Sequence, residues 1–238
     1  FGDGIYRSKN GGETWEHMGL KDSRHVGRIV IDPQNSNTIY VAALGSLWGP
    51  SEERGLYRSQ DGGKTWARLL RPSKFTGVVD VAMHPGNSKI LYAATFQRER
   101  RIWSMVGGGA ESGLWRSTDG GERWERVGNG FPTTAVGRVG VTFCPSNPDV
   151  MYATAVGPEG GTFRSVDGGA SWERRSATMQ SHWYYGEIFC DPANTDRVYA
   201  PMTPLLRSED GGKTFSNIVE SQVHADHHTL WINPKDPN

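Results

Sequence analysis

An eight-residue box that recurs five times restricts the fold of this chain more than any other feature. It consists of a serine, an aspartate two places later, a pair of glycines and a closing aromatic residue, as in SQDGGKTW at positions 59–66. The other copies begin at Ser8, Ser117, Ser165 and Ser208. Each copy follows a short apolar stretch that ends in arginine, which predicts a strand running into a tight turn.

The composition of the box indicates a structural turn. An aspartate accepts hydrogen bonds from turn amides, glycines adopt positive φ angles, and an aromatic ring packs beneath the turn. Five near-identical copies cannot all be active centres, and the first copy carries Asn10 in place of the aspartate. We therefore predict a structural role for the aspartates of the other four boxes, which are Asp61, Asp119, Asp167 and Asp210.

A second motif alternates with the box and completes a repeating unit. It is a proline turn, found at Pro33, Pro85, Pro145, Pro192 and Pro234, and each of the first four is followed by a strand containing Tyr-Ala or Tyr-Val-Ala. Each unit thus has four strands: A before the proline turn, B with the tyrosine, C before the box and D after it.

The length of the unit then predicts the fold. It varies from 43 residues between Ser165 and Ser208 to 58 residues between Ser59 and Ser117. Four short strands at this period predict an all-β fold, a β-propeller of four-stranded antiparallel blades. About five blades are expected in residues 1–238, as a partial propeller truncated at both ends and part of a larger propeller.

Strand A shows the alternation of a strand with two different faces. Its second and fourth residues before the proline are apolar, as with Met83 and Val81, and we expect them to pack between blades. The fifth residue before the proline points the other way, towards the central channel. These fifth residues are Arg28, Asp80, Gly140, Glu187 and Thr229.

Composition excludes several classes of function. The 26 lysines and arginines balance the 26 aspartates and glutamates, so no net charge attracts the chain to nucleic acid or to an anionic membrane. No apolar run approaches the roughly 18 residues of a membrane-spanning helix. The two cysteines, Cys144 and Cys190, occupy different pleat positions in their repeats, so the sequence does not imply that they pair.

With these boxes, the chain resembles the BNR, or Asp-box, repeat propellers of the sialidase superfamily. That group includes sialidases, two-propeller xyloglucanases and sortilin-type receptors. The chain is most similar to large bacterial repeat proteins described as glycosyl hydrolases or as sortilin N-terminal-like. Residues 40–50 (YVAALGSLWGP), 52–55 (EERG) and 226–232 (DHHTLWI) carry this resemblance. A sialidase is not expected, because the amino-terminal Arg-Ile-Pro segment of sialidases is absent.

A propeller separates its scaffold from its site. Strand A lines the central channel, and the segments leading into strand A share one face with the B-to-C loops, whereas the boxes lie on the opposite face. Two B-to-C loops are long, at residues 45–55 and 96–113, so we expect a lopsided rim and a cleft beside them. The side chains that we expect to bind substrate there are Arg28, Trp48, Trp103, Arg138, Trp183, Tyr184, His227 and His228.

Aromatic rings beside charged groups suit carbohydrate, because sugar faces stack on rings and hydroxyls bond to charged groups. A glycoside hydrolase needs two carboxylates that flank the scissile bond. The catalytic candidates are Asp80, Glu187 and Asp226. The alternative is that Asp80 and Glu187 form ion pairs in the channel with Arg28 or Arg138.

The histidine-rich segment offers a second alternative. His224, Asp226 and His228 share one side of an extended strand, which would allow a metal site or a polar, pH-sensitive network. Three ligands from one strand rarely complete a tetrahedral site without help. We therefore predict no metal as the first choice, and no cofactor.

Three functions stay open from the sequence. The first is part of a secreted or periplasmic carbohydrate-active, glycoside-hydrolase-like protein that binds or hydrolyses a glycan. The second is a non-catalytic sortilin-like propeller that binds protein or peptide. The third is a plain scaffold within a larger enzyme. The expected partners are a glycan or a peptide ligand, and further blades or a second propeller of the same parent chain.

Overall fold

The structure is a computed structural model that describes residues 2–177, 184–218 and 223–236. Within these ranges the chain consists of strands joined by turns, with one turn of 3-10 helix at Lys21–Ser23. No helix in this part of the chain is long and apolar enough to cross a membrane. The predicted all-β fold is confirmed.

The strands form antiparallel sheets in the predicted order. A two-stranded sheet comes first, with β1 (Tyr6–Arg7) paired to β2 (Glu16–His17). Four sheets follow, each with neighbouring strands in chain order. Blade 1 consists of β3 (Val26–Asp32), β4 (Asn35–Ala43), β5 (Gly55–Ser59) and β6 (Ala67–Leu70).

Blades 2, 3 and 4 repeat the A-to-D pattern. In blade 2, the second strand is extended and carries an additional short partner, β9. Blade 2 consists of β7 (Thr76–Met83), β8 (Leu91–Arg100), β9 (Met105–Gly107), β10 (Gly113–Ser117) and β11 (Glu125–Arg126). Blade 3 consists of β12 (Val139–Phe143), β13 (Met151–Ala155), β14 (Gly161–Ser165) and β15 (Glu173–Ser176). Blade 4 consists of β16 (Phe189–Cys190), β17 (Val198–Pro201), β18 (Leu205–Ser208) and β19 (Ser216–Asn217).

Each box is a turn closed by its own side chains. The Asp61 carboxylate accepts hydrogen bonds from the Thr65 amide at 2.9 Å and the Thr65 hydroxyl at 2.6 Å, while the Ser59 hydroxyl accepts from the Gly63 amide at 2.8 Å. Gly63 has a φ of 93°, a conformation that glycine adopts without steric cost. The hydrogen bonds from Thr65, followed by that from Ser59, lower the pKa of Asp61.

The boxes also connect consecutive blades. The hydroxyl of Tyr40 in blade 1 donates to the Gly120 carbonyl in the box of blade 2 at 2.9 Å. The hydroxyl of Tyr92 in blade 2 donates to the Gly168 carbonyl in the box of blade 3 at 2.7 Å. Burial raises the pKa of Tyr92 to about 12, so its hydroxyl stays a donor at neutral pH. The repeated tyrosine therefore ties each of these blades to the box of the next one.

Apolar faces of strand A pack between blades where a neighbouring blade is present. Val81, Val141 and Ile188 are nearly fully buried, as the alternation predicts. The first copy differs, because Ile29 and Ile31 are 47% and 54% exposed. No strand in the described ranges covers that face of β3, so the prediction of burial is wrong for this copy.

The two cysteines, whose pleat positions did not imply pairing, are paired. Cys144 and Cys190 form a disulfide, with their Cα atoms 5.1 Å apart. Cys144 lies one residue beyond the end of β12, where the chain turns and the strand pleat no longer decides which side a residue faces. The bond joins the strand A ends of blades 3 and 4, inside a cluster that also contains Val150 and Ile188.

The closing tryptophans allow a test of the packing within matched boxes. Trp172 is 5% exposed and its ring contacts those of Phe131 and Tyr92, whereas Trp15 is 62% exposed. We expect Trp172→Ala to lower the free energy of unfolding by about 3–5 kcal/mol, and Trp15→Ala by about 1 kcal/mol or less. Urea unfolding of both variants measures this, and equal losses would contradict the assigned packing.

The disulfide closes a loop between residues separated by 46 positions. Replacing both cysteines with serine is expected to lower the free energy of unfolding by about 2–4 kcal/mol, because the unfolded chain regains loop entropy. Dithiothreitol should abolish the difference between the wild type and the double variant. Titration of free thiols in the unreduced, unfolded wild type is the control, and two reactive thiols would refute the bond.

Candidate functional site

Three charged side chains from three blades meet in the channel. Arg28 Nε lies 2.9 Å from Asp80 Oδ1, and Arg28 Nη2 lies 3.3 Å from Glu187 Oε2. All three occupy the fifth position before a blade's proline, so strand alternation placed them correctly on the channel side. We call Arg28, Asp80 and Glu187 the channel triad.

The two carboxylates of the triad differ in their surroundings. Asp80 is 4% exposed and both of its oxygens are bonded, since Oδ1 contacts Arg28 and Oδ2 accepts the Val141 amide at 3.1 Å. Glu187 contacts Arg28, but its Oε2 has no hydrogen bond of good geometry within the described residues. Burial raises the pKa of Glu187, against the opposing effect of the Arg28 charge.

The triad lies between two cavities of different character. One, of about 290 Å³, runs towards the proline turns and is lined by Arg28, Asp80 and mostly apolar residues, including Met83 and Phe143. The other, of about 230 Å³, lies at the end of the channel where the chain enters strand A. We call it the channel-mouth pocket; its polar lining consists of His25, Arg98, Arg138, Tyr184, Glu187 and His228.

Side chains from several blades build the walls of the channel-mouth pocket. Arg98 comes from the extended part of β8, and its guanidinium carbon lies 5.9 Å from the Tyr184 ring centroid. The rings of Tyr185 and His228 stack with centroids 5.1 Å apart. His228 Nε2 is also 3.5 Å from Asp226 Oδ1. The pocket therefore combines cations, aromatic rings and one carboxylate of raised pKa.

A fully buried arginine fixes the long loop at residues 45–55. Arg54 donates to the carbonyl of Leu44 at 2.7 Å, and to those of Ser46 at 2.5 Å, Gly49 at 3.1 Å and Arg98 at 3.0 Å. Burial, and then the Arg98 charge, lower the pKa of Arg54 to about 10, so it remains charged at neutral pH. The last of these bonds joins the loop of blade 1 to β8 of blade 2.

Two tryptophans stand on the rim formed by this loop and the β8–β9 hairpin. The Trp48 ring is covered by the Arg100 guanidinium, whose carbon lies 5.4 Å from the ring centroid. Trp103 is at the tip of the hairpin and is strongly exposed. The Arg100 amide donates to the Leu47 carbonyl at 2.8 Å, which holds the two rim elements together.

The structure brings together six of the predicted site residues and places the others elsewhere. The channel triad, Arg138, Tyr184 and His228 line the channel, while Trp48 and Trp103 lie on the rim and Asp226 and His227 flank His228. Trp183 lies outside the described residues. Within those residues, no group of three histidine, cysteine or acidic side chains could hold a metal ion, so His224, Asp226 and His228 do not converge.

Three residues of the site were not among the predicted ligands. Arg98 and His25 line the channel-mouth pocket, and Arg54 fixes its rim. The first two stand in the segments that the repeat assigns to the channel-mouth face, so the topology alone could have included them. Nothing in the sequence distinguishes Arg54, because its role depends on four carbonyls that only the folded loop brings together.

Comparisons with known proteins agree with this architecture. The family model described as sortilin, neurotensin receptor 3, matches residues 3–107. A xyloglucanase from a Paenibacillus species is 29% identical over 91% of this chain, and a xyloglucanase from Acetivibrio thermocellus is 31% identical over 54% of it. The chain spans 23% and 15% of the lengths of these two relatives.

Solved structures show the same fold. An ancestral GH74 enzyme superposes with a TM-score of 0.71 at 22% identity, covering 99% of this chain and 31% of that enzyme. The GH74 xyloglucanase from Xanthomonas campestris gives a TM-score of 0.66 at 21% identity, covering 89% of this chain and 34% of that one. The class is therefore a β-propeller similar to sortilin-type and xyloglucanase propellers, and the resemblance seen in the sequence is confirmed.

The raised pKa of Glu187 predicts a pH-dependent stability. A carboxyl whose pKa is raised on folding costs stability wherever it is ionised, and the cost disappears below its unfolded-state pKa of about 4.3. Glu187→Gln should therefore be more stable than the wild type at pH 7, and this gain should vanish as the pH falls towards about 4. Urea midpoints between pH 4 and 8 measure the difference.

Two further variants sharpen this test. Glu122→Gln, on the box face and 60% exposed in its side chain, is the matched control. Asp80→Ala should act in the opposite direction, with a loss of about 3–5 kcal/mol at pH 7, because Arg28 and the Val141 amide lose a buried partner. A Glu187→Gln variant that is less stable than the wild type at pH 7 would contradict the assigned environment.

Proposed function

We propose that this chain is part of a glycoside-hydrolase-like, carbohydrate-active β-propeller protein, secreted or periplasmic, that binds a glycan over the channel-mouth pocket. The pocket itself carries the proposal, because it places Glu187 and Tyr184 below a rim bearing Trp48 and Trp103. Similarity to a xyloglucanase along 91% of the chain supports a plant-type glucan as the first substrate to test.

The rim suits a polysaccharide rather than a compact ligand. Trp48 and Trp103 are exposed on neighbouring loops that a backbone hydrogen bond joins, so the two loops are held side by side before a ligand arrives. Exposed aromatic faces can stack on sugar rings at little entropic cost when their loops are already ordered. The channel-mouth pocket then receives one sugar unit or branch, since about 230 Å³ is below the roughly 300–1,000 Å³ of a drug-sized site.

Glu187 is the carboxylate of the channel that is best suited to protonate a leaving group. Its pKa is raised by burial, which is the property that a general acid requires. Asp80 has both oxygens bonded and serves to hold Arg28. The second carboxylate of a hydrolase would be Asp226, beside His228, or would come from further blades or a second propeller of the same parent chain.

The proposed location follows from the disulfide. Bonds such as Cys144–Cys190 persist in oxidising compartments and are rare in the cytosol. A secreted or periplasmic location also gives access to polysaccharide outside the cell. This location is part of the proposal.

Reducing-sugar release from xyloglucan and from a panel of other plant and bacterial glycans tests the proposal on the full-length protein. We expect release from at least one glycan, and a fall in kcat of at least about 100-fold in Glu187→Gln, which removes the general acid. Glu122→Gln should retain full activity.

Binding separates hydrolysis from recognition in the same experiment. Trp48→Ala is expected to weaken binding of xyloglucan oligosaccharides by about 0.5–1.5 kcal/mol in calorimetry, and the box variant Trp15→Ala should have no effect. Binding without release would leave a glycan-binding propeller. If the protein neither binds nor cleaves any of these glycans, the proposal is contradicted. That result would favour the peptide-binding alternative, to which the sortilin family match at residues 3–107 points.

A further inference from the structure

Two arginines of the channel-mouth pocket form no ion pair with another described residue. Arg28 pairs with both Asp80 and Glu187. Arg98 and Arg138 take part in none of the ion pairs formed between described residues. The channel thus carries three guanidinium groups against two carboxylates.

Arg98 is largely buried and forms no ion pair with the described residues, although its guanidinium faces the Tyr184 ring. Arg98 is only 9% exposed, and its Nε is buried with no hydrogen-bond partner in the described part of the chain. Burial, and then the charge of Arg138, lower the pKa of Arg98. A buried cation without a carboxylate partner is costly, so the Arg98 guanidinium, which lines an open pocket, is suited to an anionic ligand.

The neighbourhood favours an anion over a neutral group. Arg138 lines the same pocket, and burial also lowers its pKa, with Glu187 and Asp80 acting in the opposite direction. Arg54 adds a third positive charge behind Arg98. The remaining titratable groups are His25, bonded through Nδ1 to the Gly45 carbonyl at 2.9 Å, and His228, which faces Asp226.

We propose that Arg98 and Arg138 bind the carboxylate of an acidic sugar unit, a hexuronate, in the glycan that the channel-mouth pocket accepts. Guanidinium groups bind carboxylates through two parallel hydrogen bonds, which fixes the orientation of the sugar as well as its charge. The Tyr184 ring beside Arg98 offers a face for the sugar ring. The inference rests on the proposed function and names the substrate class of that site.

The test is a pair of oligosaccharides that differ in one group. One carries a terminal glucuronate, and the other has glucose in its place. Calorimetry on the full-length protein should show at least tenfold tighter binding of the acidic one, and a loss of that preference as NaCl is raised. Acetate and a short peptide with a free carboxyl terminus are the competing anions, and both should bind far more weakly.

Variants assign the preference to the two arginines. Arg98→Gln and Arg138→Gln should each remove the preference, so that the two oligosaccharides bind equally, while Arg98→Lys should retain part of the preference. Arg101→Gln is the matched control, since Arg101 lies on the same hairpin, is exposed, and pairs with Glu99 at 2.8 Å. Thermal unfolding of each variant confirms that it is folded.

The outcomes separate this inference from the proposed function. Equal binding of the acidic and neutral oligosaccharides by the wild type would overturn the inference and leave glycan binding intact. If the peptide carboxylate bound as tightly as the acidic sugar, the assignment of the ligand as a hexuronate would be wrong. If the protein bound no oligosaccharide at all, both the proposed function and this inference would be contradicted.

Discussion

The assembly of blades 1, 2 and 3 depends on hydrogen bonds that leave one blade and end in the box of the next. Tyr40 and Tyr92 each donate to a box glycine carbonyl, and Arg58 shares the Gly120 carbonyl with Tyr40 at 3.0 Å. The Ser and Asp side chains of each box close the turn that carries this carbonyl. Turn chemistry and blade assembly are therefore coupled at these two boundaries, whereas Tyr152 of blade 3 donates to the Thr195 carbonyl, outside the box of blade 4.

Because the boxes lie on one face of the propeller, the end of the channel on the opposite face is free to carry functional side chains. The scaffold needs one residue per strand A to face the axis, and in blades 1, 2 and 4 these residues carry charge. Within the channel triad, Arg28 bonds to both carboxylates, so the triad has one more negative than positive charge. Glu187 and Asp80 also act on Arg138, whose pKa they raise against the effect of burial. The cation that the described residues leave without a carboxylate next to this network is Arg98.

Most of the architecture could be predicted from the sequence, because turns and strand alternation are local. The four-stranded units, the face that holds the pocket and the inward direction of Arg28, Asp80 and Glu187 all follow from residue spacing. The disulfide could not be predicted, since it forms just past a strand end, where alternation carries no information. The exposure of Ile29 and Ile31 was missed for a related reason: a strand pattern shows which face is apolar, but not whether a neighbour covers it.

The Arg54 clasp has a consequence for how the rim can change over time. One buried guanidinium gathers carbonyls from both ends of its loop and from the adjacent blade, and the space beside Gly45 is filled by the Arg54 side chain, so that a larger residue at position 45 would collide with it. Arg54, which anchors the loop, and the outward-facing stretch around Trp48 are separate parts of the loop. The exposed stretch around Trp48 can accept new side chains while the closure stays the same, so ligand preference can diversify without refolding the blade.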